Sequence, residues 1–532
     1  MICRKQSFSM LLLFLLALYT VGMLTACSAT PTYFVVPTAE ITAAPSASVA
    51  TDTRPAQPAS TPTRSEYFDL RSPTPALTPS STPEWIHYSP PENRTLYQLE
   101  ATLDYANHTL AVDERITFTN TTSERLSTIP LVIATRRFPG TFQLSRLVDQ
   151  SGKRLQYRWN GTTLEMNLPE ELAPGGKFQF LLTYQLILLD TNKMDKVRPH
   201  PLGYNSQQAN FSDWYPFIPP YRAGKGWLVH PPSTYGEHLV YDIADFEVGI
   251  WTGQPNLVIA AGEPQFDGEW YRYTHLAARN FTWSVSPYYE VLTQTVEVAE
   301  GVSTVVASYY FPFYEHAGKS VLDTMGRALQ VYSRLFGVYS HPMFIGVQAD
   351  MLDGMEYDGL FLLSTVFYDW HKDTQQDFLV FLAAHETAHQ WWYSVVGSDQ
   401  ALEPWLDEAL CTYSERIYYE NIDPTALDWW WTYRVNYYQP EGWVDLSVFD
   451  LPAGSGHYKA YRNPVYLRGA LFMEELRSLM GDAAFFAALR AYANRYAYRQ
   501  ADGAGFWEVI REHTTQDLDP LLSKYFSKPS QN

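Results

Sequence analysis

His385-Glu386-Thr387-Ala388-His389 is the stretch of this chain whose residue types and spacing most directly imply chemistry. On a helix, residues four apart share a face, so both imidazoles can aim a nitrogen at one ion. Glu386 is rotated roughly 100° from His385 and can reach a water on that ion without competing as a ligand. Catalytic zinc sites commonly have three protein ligands and one open position, so a third ligand is expected from another element. Glu408 is the candidate, nineteen residues after His389 within Trp405-Leu406-Asp407-Glu408-Ala409-Leu410. A carboxylate buried among such apolar neighbours needs a cation. The plainer account of Glu408 is an exposed acidic helix face.

These residues need elements to hold them. The run Phe378-Leu379-Val380-Phe381-Leu382-Ala383-Ala384 leads into the motif and predicts a largely buried helix, capped by Asp373 or Thr374 and ended by Gly397. Val305 to Phe311 and Met343 to Gln348 read as strands, with a helix between them from about Ala317 to Phe336 that Gly337 can end. From about Pro404 the pattern is mostly helical, as in Leu467 to Met480, with Gly481 past its end. Upstream, from about Arg94, the chain alternates. Leu110, Val112, Ile116 and Phe118 share one parity, and Phe178 and Phe180 do the same. Asn107-His108, Asn160-Gly161 and Pro174-Gly175-Gly176 mark turns. Residues 93–290 therefore read as one largely antiparallel β domain, and 291–532 as a mixed α/β and helical domain: an α+β multidomain fold. Trp214-Tyr215-Pro216 and Ala223-Gly224-Lys225-Gly226 are expected to pack and turn rather than touch substrate.

The N-terminus reads as an address and a tether. Arg4 and Lys5 precede an apolar run from Met10, and the run ends in Leu24-Thr25-Ala26-Cys27, which resembles a bacterial lipobox. Residues 1–26 are expected to be a lipoprotein signal peptide. Cys27 would then be lipidated and hold the protein on a bacterial membrane outside the cytoplasm. An uncleaved transmembrane anchor is the alternative, but the stretch is a little short for a full span. Residues 27–92 are rich in Pro, Thr and Ser, too poor in apolar surface to fold, and read as an extended linker. The body can afford a sizeable core, with 46% apolar residues. Its 57 acidic and 38 basic residues give a net charge of −19, which excludes a nucleic-acid partner. Three cysteines make no disulfide framework, and Cys411 is expected to be a small buried side chain.

HExxH, eighteen intervening residues, then Glu resembles the zinc signature of the gluzincin aminopeptidase family, which includes aminopeptidase N and leukotriene-epoxide hydrolase. Other stretches are similar. The family's HExxHQW continuation stands here as His389-Gln390-Trp391, and its WLNEG segment as Trp405-Leu406-Asp407-Glu408-Ala409. Its Tyr-x-Lys-Gly segment stands as Tyr466-Leu467-Arg468-Gly469, and its Gly-x-Met-Glu-Asn segment as Asp353-Gly354-Met355-Glu356-Tyr357. The resemblance covers roughly 93–532 and implies a thermolysin-like catalytic domain after the β domain.

It further implies one zinc ion per chain on His385, His389 and Glu408, peptide substrates, Glu386 as general base and Tyr466 as oxyanion donor. Glu356 would pair with the substrate's α-ammonium and make the enzyme an exopeptidase, or would be a structural acid near the site. Tyr458 and Tyr461 are rivals of Tyr466 that lack the x-[Lys/Arg]-Gly continuation. Glu415 would back a zinc histidine, or lie exposed on its helix. Trp429-Trp430-Trp431 is expected to pack helices.

Departures are visible too. Asp353 and Tyr357 stand where the family has Gly and Asn. The glutamine that family members contribute from the β domain has no identifiable counterpart. The large C-terminal helical domain of longer members is expected to be absent, leaving a more open cleft. The leading expectation is a lipid-anchored zinc aminopeptidase. The alternatives are a zinc endopeptidase or altered-specificity hydrolase on the same scaffold, or a non-catalytic surface-binding protein. The last has no need of a base such as Glu386.

Overall fold

The computed structural model describes residues 85–194, 202–253, 257–452 and 455–528. The expected signal peptide, Cys27 and most of the expected linker lie outside the described residues. The end of that linker is packed: Tyr88 is buried and its hydroxyl donates to Phe336 O (2.8 Å), while Ile86 O accepts from the Val338 N–H (2.8 Å).

The first lobe is built on a seven-stranded sheet. Thr95–Asp104 and Thr109–Thr119 pair at its centre. Lys177–Ile187 and then Phe142–Asp149 extend it on one side, and Ala244–Trp251, Trp270–Ala278 and Glu263–Asp267 on the other. The pairs are antiparallel except Thr95–Asp104 with Ala244–Trp251, which run parallel. Leu110, Val112, Ile116 and Phe118 are all buried on one face, as their parity requires. Glu114 has the same parity and is fully buried with them. A four-stranded, a three-stranded and a two-stranded sheet complete the lobe. Trp214 and Tyr215 are packing residues in its core.

The second lobe has its own core. Its five-stranded sheet runs in the order Glu290–Ala299, Val302–Tyr310, Met343–Ala349, Leu360–Ser364, Gly354–Tyr357. The two inner pairings are parallel and the two outer ones antiparallel. Helix Glu315–Leu335 makes the crossover between the first parallel pair. It packs against the motif helix, Phe378–Ala388, and the glutamate helix, Trp405–Ile422. Helix Gly469–Met480 lies on the far side of the glutamate helix.

The motif helix differs from expectation at both ends. Its cap is Asp377, whose carboxylate accepts the Leu379 N–H (2.9 Å), because Asp377 directly precedes the apolar run while Asp373 lies in the loop before it. Nor does Gly397 end the helix. After His389 the backbone widens into a π-helical turn over Gln390–Val395, and Gly397 lies in a short strand paired with Arg499–Ala501. Such widening frees carbonyls, and in this chain the buried Arg279 of the first lobe gathers them. Its guanidinium donates to the carbonyls of Tyr393, Ser394 and Val395, and also to those of Tyr241 and Arg499. A side chain at 397 would collide with that guanidinium, so glycine is needed there for room.

Candidate active site

The structure brings together the residues singled out from sequence. His385 and His389 project from one face of the motif helix, ring centroids 4.8 Å apart. Glu408, in the first turn of the glutamate helix, turns Oε2 toward both, 3.2 Å from His385 Nε2 and 3.8 Å from His389 Nε2. All three are buried.

The other nitrogen of each ring is engaged. His385 Nδ1 meets Glu415 Oε1 at 2.9 Å, and His389 Nδ1 meets Asp407 Oδ1 at 2.6 Å. A carboxylate accepting from Nδ1–H fixes the tautomer and leaves the lone pair of Nε2 available to a metal, the arrangement that orients metal-binding histidines. Glu415 is therefore not on an exposed face. It is fully buried and also accepts from Trp430 Nε1 (2.8 Å) and, through both carboxylate oxygens, from Arg434 (2.8 and 3.0 Å). Trp430 thus packs, as expected, and orients Glu415 as well.

Glu386 is buried, and its Oε2 has no hydrogen-bond partner among the described residues. An orphaned carboxylate oxygen beside two imidazoles and a second carboxylate fits a site built to take a cation and a water. The neighbouring strand helps create this room, because any side chain at Gly354 would overlap the Glu386 carboxyl. Burial pushes Glu386 up to about 7, against the pull of His389 and His385. Burial also pushes Glu408 up, but the His385 contact and the charges of both histidines outweigh it, so Glu408 sits below the usual carboxylate range.

Glu356 lies on edge strand Gly354–Tyr357, and ligand-capable atoms of Glu356, Glu386 and His389 fall within 4.8 Å of one another. Gln390 locks this strand to the motif helix, donating to Tyr357 O (3.0 Å) and accepting from the Gly359 N–H (3.0 Å). Gln400 Nε2 spans Glu356 Oε1 (3.2 Å) and Asp407 Oδ2 (2.5 Å). Glu237, from an irregular stretch of the first lobe, joins Glu356 and Glu408 in a second cluster of the same width. Burial, then Glu237, Glu408, Asp407 and Glu386, raise Glu356 well above the usual range. That much negative charge in one buried place favours a cationic ligand.

Among the three tyrosines, Tyr466 reaches a candidate ligand: its hydroxyl donates to Glu408 Oε1 at 2.6 Å, from a π-helical turn over Asn463–Arg468. Tyr458 instead donates to Asp353 Oδ2 (3.1 Å), and the Tyr461 ring lies over Tyr235. Asp353 has φ +57°, the left-handed region, which accounts for a glycine in the family pattern and for Asp as a tolerated substitute. Cys411 is buried beneath Asp407.

Sequence reasoning missed Asp407, Gln400, Arg434 and Glu237. Asp407 carried a signal, being an acid beside Glu408 in an otherwise apolar turn. The other three come together only through the fold.

Residues 321–525 match the peptidase family M1 domain. Aminopeptidase N of Lactococcus lactis subsp. lactis is 23% identical over 40% of this chain and 27% of its own length. A probable aminopeptidase 2 of Sulfurisphaera tokodaii is 23% identical over 40% and 28%. The chain thus spans about a quarter of the length of these curated relatives. An M1 zinc metallopeptidase from Deinococcus radiodurans has the same fold, with TM-score 0.56 at 18% identity over 80% of this chain and 92% of that one. A two-domain M1 zinc metallopeptidase variant bound to L-arginine gives 0.57 at 19% identity over 80% and 93%. The β lobe followed by a mixed and helical lobe is therefore a shared architecture. The match to the peptidase family M1 domain covers residues 321–525, the part of the chain that carries His385, His389 and Glu408 and most of the stretches similar to the gluzincin aminopeptidases.

Proposed function

We propose that the chain is a zinc-dependent aminopeptidase, with His385, His389 and Glu408 as metal ligands. The observation that carries this reading is the position of Glu356, buried within 4.8 Å of both Glu386 and His389 and ringed by further acids. A peptide's α-ammonium fits there, and it places the first peptide bond beside the ligand set.

When bound, zinc supplies Lewis acidity and a water activated at neutral pH. Glu386 accepts the proton of the attacking water and passes it to the leaving amine, a task suited to a carboxyl held near 7. Tyr466 keeps its proton, since burial and then Glu408 hold its hydroxyl well above the usual range. It can therefore donate to an oxygen that becomes negative only in the transition state. Glu356 and Glu237 hold the amine, Gln400 holds Glu356, and Gln390 holds the strand that carries it. Glu415 and Asp407 hold the histidines.

The test compares hydrolysis of free and N-acetylated forms of one peptide. Acetylation should remove at least a hundredfold of kcat/KM, and Glu356→Gln should erase most of the difference. Equal rates on both peptides would instead indicate an endopeptidase. Equal activity of Glu386→Gln and wild type would defeat the catalytic reading itself.

The place of action belongs to the same proposal. Leu24-Thr25-Ala26-Cys27 supports lipid anchoring outside the cytoplasm. Metabolic labelling with a radioactive fatty acid, present in wild type and lost in Cys27→Ser, is the expected result.

A further inference from the structure

A second set of metal-capable side chains lies at the seam of the two lobes. His275 comes from strand Trp270–Ala278 of the first lobe. His341 precedes strand Met343–Ala349, and Asp358 lies in the turn between strands Gly354–Tyr357 and Leu360–Ser364. Their donor atoms all fall within 4.8 Å of one another. Asp358 is 1% exposed, His275 2% and His341 10%.

The two oxygens of Asp358 behave differently. Oδ2 accepts the Arg279 main-chain N–H at 2.9 Å, and Asn280 Oδ1 accepts the Asp358 N–H, so the carboxylate is held from behind. Oδ1 points between the imidazoles, 2.8 Å from His341 Nε2 and 3.3 Å from His275 Nε2. It nevertheless has no hydrogen-bond partner of acceptable direction. A buried carboxylate oxygen left so, with two imidazole nitrogens crowding it off-axis, is poor hydrogen bonding and good ligand placement. The fold keeps the space open, because a Cβ at Gly359 (φ +74°) would press on the His275 ring. The two rings lie 4.6 Å apart, much as the rings of the catalytic pair do.

We propose that His275, His341 and Asp358 bind a second, structural divalent ion of the zinc class that ties the two lobes together. Two imidazoles and a carboxylate are a donor set that zinc accepts, with one position left for a further ligand. His275 Nε2 also lies 3.1 Å from Asp358 O, a contact that an ion on Nε2 would replace. This site neither uses nor requires the catalytic residues.

The test measures zinc per chain, by atomic emission, on dialysed full-length protein and two variants. Wild type should hold two ions, His385→Ala/His389→Ala should retain one, and His341→Gln should lose one while keeping peptidase activity. The double variant should also melt at a higher temperature with zinc than with chelator. If that variant retains no zinc and shows no thermal response, the cluster is a bare ion pair and the proposal is wrong. This arm decides the matter even if His341→Gln fails to fold. A wrong catalytic reading gives another pattern: one ion in wild type, one in the double variant and none in His341→Gln.

Discussion

Glu415→Gln separates holding a histidine from holding the fold. Glu415 is fully buried and carries the only negative charge that meets the Arg434 guanidinium among its described ion pairs, while its Oε1 fixes His385 Nδ1. The amide keeps the shape and removes the charge. Losing a carboxylate behind a ligating histidine typically lowers metal affinity 10–100-fold, or about 1.4–2.7 kcal/mol. Arg434 would remain buried without its partner, which costs about 3–5 kcal/mol when a buried pair is broken from one side. Its stacking over Phe381 puts the expectation at the lower end. Zinc affinity is read by competition with a chelator, and stability by denaturant melts of the zinc-free protein. Adding Arg434→Met should restore most of the stability and none of the zinc affinity. If Glu415→Gln binds zinc within twofold of wild type, Glu415 does not orient His385 in any useful sense. If the double variant regains affinity, the loss was a folding effect.

Gly354→Val should put a side chain where the Glu386 carboxyl lies and cut kcat/KM by about a hundredfold, with zinc content and melting temperature near wild type. Unchanged kinetics would show that Glu386 works from another position. Burial raises Glu114 well above its usual range, so the folded chain keeps a proton there that the unfolded chain releases. Wild type should therefore lose up to about 1.4 kcal/mol of stability per pH unit as pH rises from the unfolded pKa toward the raised one. Glu114→Gln should not, and parallel stability curves in urea melts from pH 4 to 8 would refute this. Arg279→Met should remove hydrogen bonds to five main-chain carbonyls, of which those of Tyr241 and Val395 keep a second donor, and cost more than about 4 kcal/mol in the same melts.

What could be read from the chain alone was what local geometry sets. The i, i+4 histidines share a face on any helix, and the alternation of Leu110, Val112, Ile116 and Phe118 survives into a buried sheet face. Glu114 shows the limit of alternation, because a polar letter on the inner parity reads as an error until its surroundings are known. The helix ends were misplaced for a similar reason. Gly397 looks like a stop signal in one dimension, but its missing side chain makes way for an arginine more than a hundred residues away. Glu237 could not be found by pattern, since it sits outside regular structure and only the docking of two lobes brings it to Glu356.

Arg279 has a consequence for how this chain can be divided. Its guanidinium belongs to the first lobe, and the carbonyls it gathers belong to the end of the motif helix. The lobe that carries His385, His389 and Glu408 is thus completed by a cation it does not encode. A second lobe cut at residue 291 would leave those carbonyls without the guanidinium that donates to them. Recombination between relatives would meet the same obstacle, because swapping either lobe alone separates the donor from its acceptors. The two lobes are tied into one inheritable unit by a contact made away from the site of chemistry.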